Sequence, residues 1–129
     1  MILDTTFVLD LLKGRPNAIS KLQSLIDENE SYGISTPTIF EIWSGLVSLG
    51  KTEKERYKVL SLIKEQIIYV LDKESAEEAG KIDGELVKQG LTIDPEDSMI
   101  AGIAITNNQK VLTRDKHFSR IDPLKIVGY

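Results

Sequence analysis

A chain of 129 residues, 41% apolar and 28% charged, has the size and composition of one globular domain that can bury its own core. It has no cysteine and a single histidine, which excludes disulfides and thiolate chemistry and makes a zinc centre a poor expectation. The net charge of −4 argues against holding nucleic acid by a bulk positive field alone. The absence of a long apolar run or a basic-flanked leader makes a cytosolic location the expectation.

The first twelve residues read as a buried strand turning directly into a helix: Met1-Ile-Leu is apolar, Asp4 ends it, and Val8, Leu11 and Leu12 recur at helical spacing. Arg15-Pro16 opens a second helix, because proline suits a first turn, with Ile19, Leu22, Leu25 and Ile26 as its apolar stripe. Tyr32-Gly-Ile-Ser35 is a short strand. Pro37 starts a helix to about Leu49 that is apolar on most sides, which predicts burial. Gly50 stops it, and Thr52-Glu-Lys-Glu55 is a capping box for a charged helix to about Glu65.

Gln66 to Leu71 has the β-branched content of a buried strand. Asp72 caps a helix that ends at Gly90, and Gly80 and Gly84 within it predict close helix packing. Asp94-Pro-Glu-Asp97 opens a last long helix to about Asn108. Lys110 to Thr113 is a strand, Asp115 to Arg120 a short turn or helix, and Lys125 to Val127 a final strand. Five short strands separated by helices predict parallel pairing through right-handed crossovers. The expected fold is therefore α/β, a three-layer α/β/α domain with a short five-stranded, mainly parallel sheet, in a single domain over residues 1–129.

Four acids stand out. Asp4 and Asp115 follow strands, and the carboxyl ends of parallel strands share one edge, where ligands bind in open α/β sheets. Asp97 heads the apolar stripe Ile100, Ala101 and Ala104, so it faces inward, and an inward acid needs a partner; Asp94 and Glu96 fit a capping role better. Glu41 shares a helix face with Thr38, Gly45 and Ser48. Singly, each acid reads as well as a cap, a turn residue or a partly exposed side chain. Together they would repel one another, and oxygen ligands of this kind select Mg²⁺ or Mn²⁺. Between Lys110 and Lys125, five lysines or arginines and His117 face only Asp115 and Asp122. That stretch reads equally as a solvated mixed-charge face or as a phosphate-contacting patch. His117 reads as a surface imidazole, and Trp43 as a core or interface residue rather than a base-stacking one.

Leu3-Asp-Thr-Thr6, Phe40-Glu-Ile42, Asp97-Ser-Met-Ile-Ala-Gly-Ile-Ala104 and Thr113-Arg-Asp-Lys-His-Phe118 occur in the order and at the separations of a PIN-domain ribonuclease, and the chain most resembles the VapC-type toxins of toxin–antitoxin pairs. The resemblance runs through nearly the whole chain, with no signature between Gly50 and Leu91. It implies a metal-dependent endoribonuclease in which Asp4, Glu41, Asp97 and Asp115 are catalytic and hold Mg²⁺ or Mn²⁺, Thr5, Thr6 and Thr113 are supporting hydroxyls, and RNA is left with 5′-phosphate and 3′-hydroxyl ends. It also implies an antitoxin partner.

Arg114 and Lys116, with Lys13 or Arg15, are expected near the same edge as phosphate contacts. The apolar helix around Trp43 and the helix from Thr52 are expected to offer a homodimer or antitoxin surface. The competing readings are a receiver-like phosphoacceptor, disfavoured because Thr5-Thr6 stand where a second acid would be needed, and a non-catalytic or RNA-processing PIN-like binding module, which metal dependence would distinguish.

Overall fold

The computed structural model describes residues 1–129. The chain runs β1 (Ile2–Leu3), α1 (Thr5–Leu12), α2 (Pro16–Asp27), β2 (Gly33–Ser35), α3 (Thr36–Ser48), α4 (Glu53–Lys64), β3 (Ile67–Tyr69), α5 (Lys73–Lys88), α6 (Pro95–Thr106), β4 (Val111–Leu112), a 3₁₀ turn (Lys116–Arg120) and β5 (Ile126–Val127). All strand pairs are parallel, in the order β3-β2-β1-β4-β5. The expected α/β/α architecture is present, with β1 central.

Successive strand residues face opposite sides, and the core divides accordingly. Leu3 and Leu112 pack with Phe7, Ala18, Leu25, Ile42 and Val59 beneath α1 to α4. Ile2 and Val111 pack with Leu86, Ile100, Ile103 and Phe118 beneath α5, α6 and the 3₁₀ turn. No helix is long and apolar enough to cross a membrane.

Local signals in the sequence account for most boundaries. Pro16, Pro37 and Pro95 lie in first turns, where the missing N–H has no helical partner in any case. Thr52 and Asp72 form capping boxes with Glu55 and Ser75. Gly50 and Gly90, at φ +61° and +71°, terminate helices in the left-handed conformation that side chains disfavour.

Three expectations fail, each because the deciding contact is remote in sequence. β3 is an edge strand rather than a buried one, and Ile67 is 51% exposed. The helix expected to be buried all round, α3, exposes Phe40, Val47 and Leu49, because the core takes one face through Ile42 and Leu46. Gly80 and Gly84 face open space; the close approach of α5 and α6 falls instead at Gly102, where a Cβ would lie 2.6 Å from the Ser75 carbonyl oxygen and 2.7 Å from the Ala79 nitrogen.

Candidate functional site

The register sets the site. Leu3 pairs with Ile34 on one side and Leu112 on the other, so the next residues, Asp4, Ser35 (the last residue of β2) and Thr113, stand side by side at the carboxyl edge. From β1 the chain passes to β2 on one side and later returns to β4 on the other, so Asp4 stands where the strand order reverses.

Asp4 is buried and caps α1, with Oδ1 accepting from the Phe7 N–H at 2.8 Å. Its Oδ2 accepts from Thr6 at 2.9 Å and from Thr113 at 2.5 Å. The cap reading and the site reading of Asp4 are therefore both satisfied by one side chain. Burial raises its carboxyl above the ordinary range against the pull of those three bonds, and Asp115 adds to the rise.

Glu41, half-buried on α3, accepts the Thr5 hydroxyl at 2.8 Å. Thr5 has one hydrogen to give, so its lone pairs remain for Thr38, 3.1 Å away, which Ser35 in turn contacts at 3.2 Å. Burial raises Glu41, as do Glu96, Asp94 and Asp4. Asp97 is pushed up to about 7, first by burial and then by Glu41, Asp115, Asp94 and Asp4. The four acids singled out in the sequence thus share one electrostatic neighbourhood at the carboxyl edge of the sheet.

Asp94 and Glu96 do not fit the purely capping role expected of them. Asp94 occupies the cap position but makes no side-chain cap bond, and both acids lie close enough to act on Glu41. Asp115 caps the 3₁₀ turn through the His117 N–H, and its own N–H donates to Thr113 at 2.8 Å. Thr113 is therefore both the strand end and the bridge between two of the acids.

The donor set suits a hard divalent ion: it is all oxygen, and no lysine or arginine pairs with any of the four acids. The molecule's ion pairs are Lys73–Glu77, Lys88–Glu85, Arg114–Asp10 and the 3.4 Å contact of His117 with Asp115. No three of the acids stand close enough together to enclose an ion.

The basic residues are arranged differently from expectation. Lys13 caps the far end of α1 and lines a groove with Leu46 and Val59, away from the acids. Lys116 is exposed at the start of the 3₁₀ turn. Arg114 is held by Asp10, with Nε at 2.8 Å from Oδ2 and Nη2 at 3.4 Å from Oδ1. Asp10 also accepts from the Tyr129 hydroxyl at 2.8 Å. Neither Asp10 nor Tyr129 belongs to a motif that stands out in the sequence. The available signal was an acid interrupting the apolar run Phe7 to Leu12. Trp43 is partly buried against the α1–α4 core.

Residues 1–124 match the family model described as "PIN domain". The chain is 32% identical over 124 residues to Ribonuclease VapC1 of Methanocaldococcus jannaschii, covering 94% of this chain and 80% of that protein. It is also similar to solved structures of VapBC2 from Rickettsia felis bound to a DNA fragment from their promoter (25% identity, TM-score 0.88, covering 99% and 97% of the two chains) and of DNA-bound VapBC from Salmonella typhimurium (29%, TM-score 0.83, 98% and 96%). With the family model matching residues 1–124 and the fold shared with these solved structures, the chain belongs to the PIN-domain family, among the VapC ribonuclease toxins.

Proposed function

We propose that the chain is a Mg²⁺- or Mn²⁺-dependent endoribonuclease that hydrolyses RNA phosphodiester bonds at Asp4, Glu41, Asp97 and Asp115, and that it acts as the toxin of a toxin–antitoxin pair. The observation that carries this reading is the gathering of these carboxylates at one edge of the sheet with no lysine or arginine paired to any of them, a crowding that, with burial, pushes the Asp97 carboxyl up to about 7. Structural acids are ordinarily paired with cations or satisfied by hydrogen bonds, and perturbed groups gathered in a cleft mark functional sites.

Bound divalent ions would supply a polarised water for in-line attack on phosphorus and charge to stabilise the departing 3′-oxygen. The protein's own contribution is orientation. Phe7, Thr6 and Thr113 lock both oxygens of Asp4. Thr5 aims Glu41 from the first turn of α1. Asp97, in the first turn of α6, and Asp115, held through Thr113, approach from the other side of β1.

The test is cleavage of single-stranded RNA by the parent and by Asp4→Asn, each with Mg²⁺, with Mn²⁺ and with chelator. Metal-dependent cleavage by the parent alone is expected. Equal activity in both proteins would place the chemistry elsewhere. A rise in melting temperature on Mn²⁺ titration, absent in Asp4→Asn, separates an ion site from a non-catalytic binding module by mass action.

Likeness to VapBC structures supports a cognate antitoxin as partner, and a homodimer is inferred from the chain's own exposed apolar side chains. Phe40, Val47 and Leu49 on α3 and Tyr57 and Leu60 on α4 provide exposed apolar side chains for such contacts. Sedimentation of the chain, alone and with a co-expressed partner, reads out both.

A further inference from the structure

Asp10 is an acid that the metal site does not use. It is only 5% exposed, it lies two turns along α1 from Asp4, and it is ringed by donors. Arg114 binds it through Nε and Nη2, Tyr129 donates to the same Oδ2, and the Tyr129 ring packs edge-on against Phe7 with centroids 4.7 Å apart. Burial tends to raise the Asp10 carboxyl; the bonds from Tyr129 and Arg114 and the nearby charges of Arg114 and Arg15 bring it below its ordinary value. Two guanidinium groups thus act on one carboxylate, leaving net positive charge beside a strongly acidic cleft.

The placement of Arg114 gives this network a use. Its neighbours in sequence are Thr113, which bonds Asp4, and Asp115. Its backbone is therefore part of the cleft wall, while Asp10 draws its side chain outward along α1. Asp10 stands six positions after the cap residue Asp4, a rise of roughly 9 Å at about 1.5 Å per residue. A guanidinium anchored that far along α1 from Asp4 is suited to a phosphate flanking the scissile one rather than to the bond being cut. The side chain remains 54% exposed, and Asp10 leaves both Nη1 hydrogens free. A planar fork fixed from behind by a carboxylate is suited to grip phosphate oxygens from its open side.

We propose that Asp10, supported by Tyr129, is a positioning residue that presents Arg114 to a phosphate flanking the scissile one, so that RNA binding and cleavage are carried by separate charges. This rests on the ribonuclease reading above, and its test is arranged so that the two can fail independently.

Binding is measured by fluorescence anisotropy of a labelled single-stranded RNA in the Asp4→Asn background with chelator, so no chemistry is needed. Arg114→Ala is expected to weaken binding about tenfold and to lower the slope of log Kd against log salt by about one phosphate contact. Asp10→Asn is expected to weaken binding several-fold when Arg114 is present and to have no further effect in Arg114→Ala, as coupled residues do. Tyr129→Phe, which leaves the ring packed on Phe7, is expected to show a smaller effect of the same kind; it covers the case in which Asp10→Asn does not fold. In steady-state cleavage with Asp4 restored, the same changes should raise KM and leave kcat within about twofold. Equal losses from Asp10→Asn with and without Arg114, an unchanged salt slope in Arg114→Ala, or a fall in kcat at constant KM would overturn the proposal. Normal binding effects in a protein that cleaves no RNA would instead count against the catalytic reading alone.

Discussion

The hydroxyl of Thr113 donates to Asp4 Oδ2 at 2.5 Å across 109 positions of chain, and the Thr113 Oγ1 itself accepts the N–H of Asp115. One small side chain at the end of β4 thereby holds two acids of the cleft in fixed relation. Thr113→Val keeps the shape but removes the donor and acceptor, leaving Asp4 and the Asp115 N–H each one bond short. A loss of roughly 1–3 kcal/mol in stability is expected, together with weaker Mn²⁺ binding, whereas Thr113→Ser should retain most of both. Urea denaturation and calorimetric metal titration of the two variants provide the check; equal behaviour of valine and serine would show that the hydroxyl is not the contact that matters.

The elevated Asp97 carboxyl predicts a pH dependence in the metal-free protein. Its value is about 7 in the fold against 3.8 ordinarily, so between those limits the folded state holds a proton that the unfolded chain has released. Stability should therefore be greatest below about pH 4 as far as this group is concerned, and fall as pH rises to about 7. The raised Asp4 and Glu41 act in the same direction; the lowered Asp10 and Asp72 act oppositely, losing stability as pH falls through the acid range. Asp97→Asn should flatten the decline between about pH 4 and pH 7, measured as urea midpoint in chelator. An unchanged slope would place the charge crowding at another residue.

Asp94 and Asp97 are separated by one helical turn and should respond differently to neutralisation. Asp94 makes no cap bond, so Asp94→Asn is expected to change stability by less than about 0.5 kcal/mol, as surface changes usually do. It should also ease the crowding on Asp97 and Glu41 and leave cleavage largely intact. Asp97→Asn should abolish metal-dependent cleavage, as Asp4→Asn does. Loss of activity in Asp94→Asn with an unchanged circular dichroism spectrum would mean that Asp94 is the ligand.

The glycines of the α5–α6 pair offer a packing test without chemistry. A methyl at Gly102 would meet backbone atoms of Ser75 and Ala79, which cannot rotate aside, so Gly102→Ala should destabilise by about 1–3 kcal/mol. Alanine at Gly80 or Gly84 meets nothing within 4 Å and should instead add about 0.5–1 kcal/mol from helix propensity. Opposite signs in thermal melts are the expected result; the same sign in all three would contradict this packing of α5 on α6.

What the sequence by itself determined was local. Prolines, glycines and capping boxes set the helix limits within one or two residues, because each acts through backbone geometry or a bond reaching only three positions along the chain. The alternation of apolar runs with helical stretches determined the parallel α/β architecture, and the motifs around Asp4, Glu41, Asp97 and Asp115 marked the four acids.

Tertiary structure decided everything that depends on which surfaces meet. It made β3 an edge and left one side of α3 exposed, since hydrophobicity alone does not say which apolar surface the core will cover. It moved the close helix contact from Gly80 and Gly84 to Gly102 and brought Asp94 and Glu96 into the acidic neighbourhood. It also tied Arg114 to Asp10. Asp10 and Arg114 lie 104 positions apart, and their meeting follows from β4 pairing beside β1, a long-range pairing that no local pattern encodes.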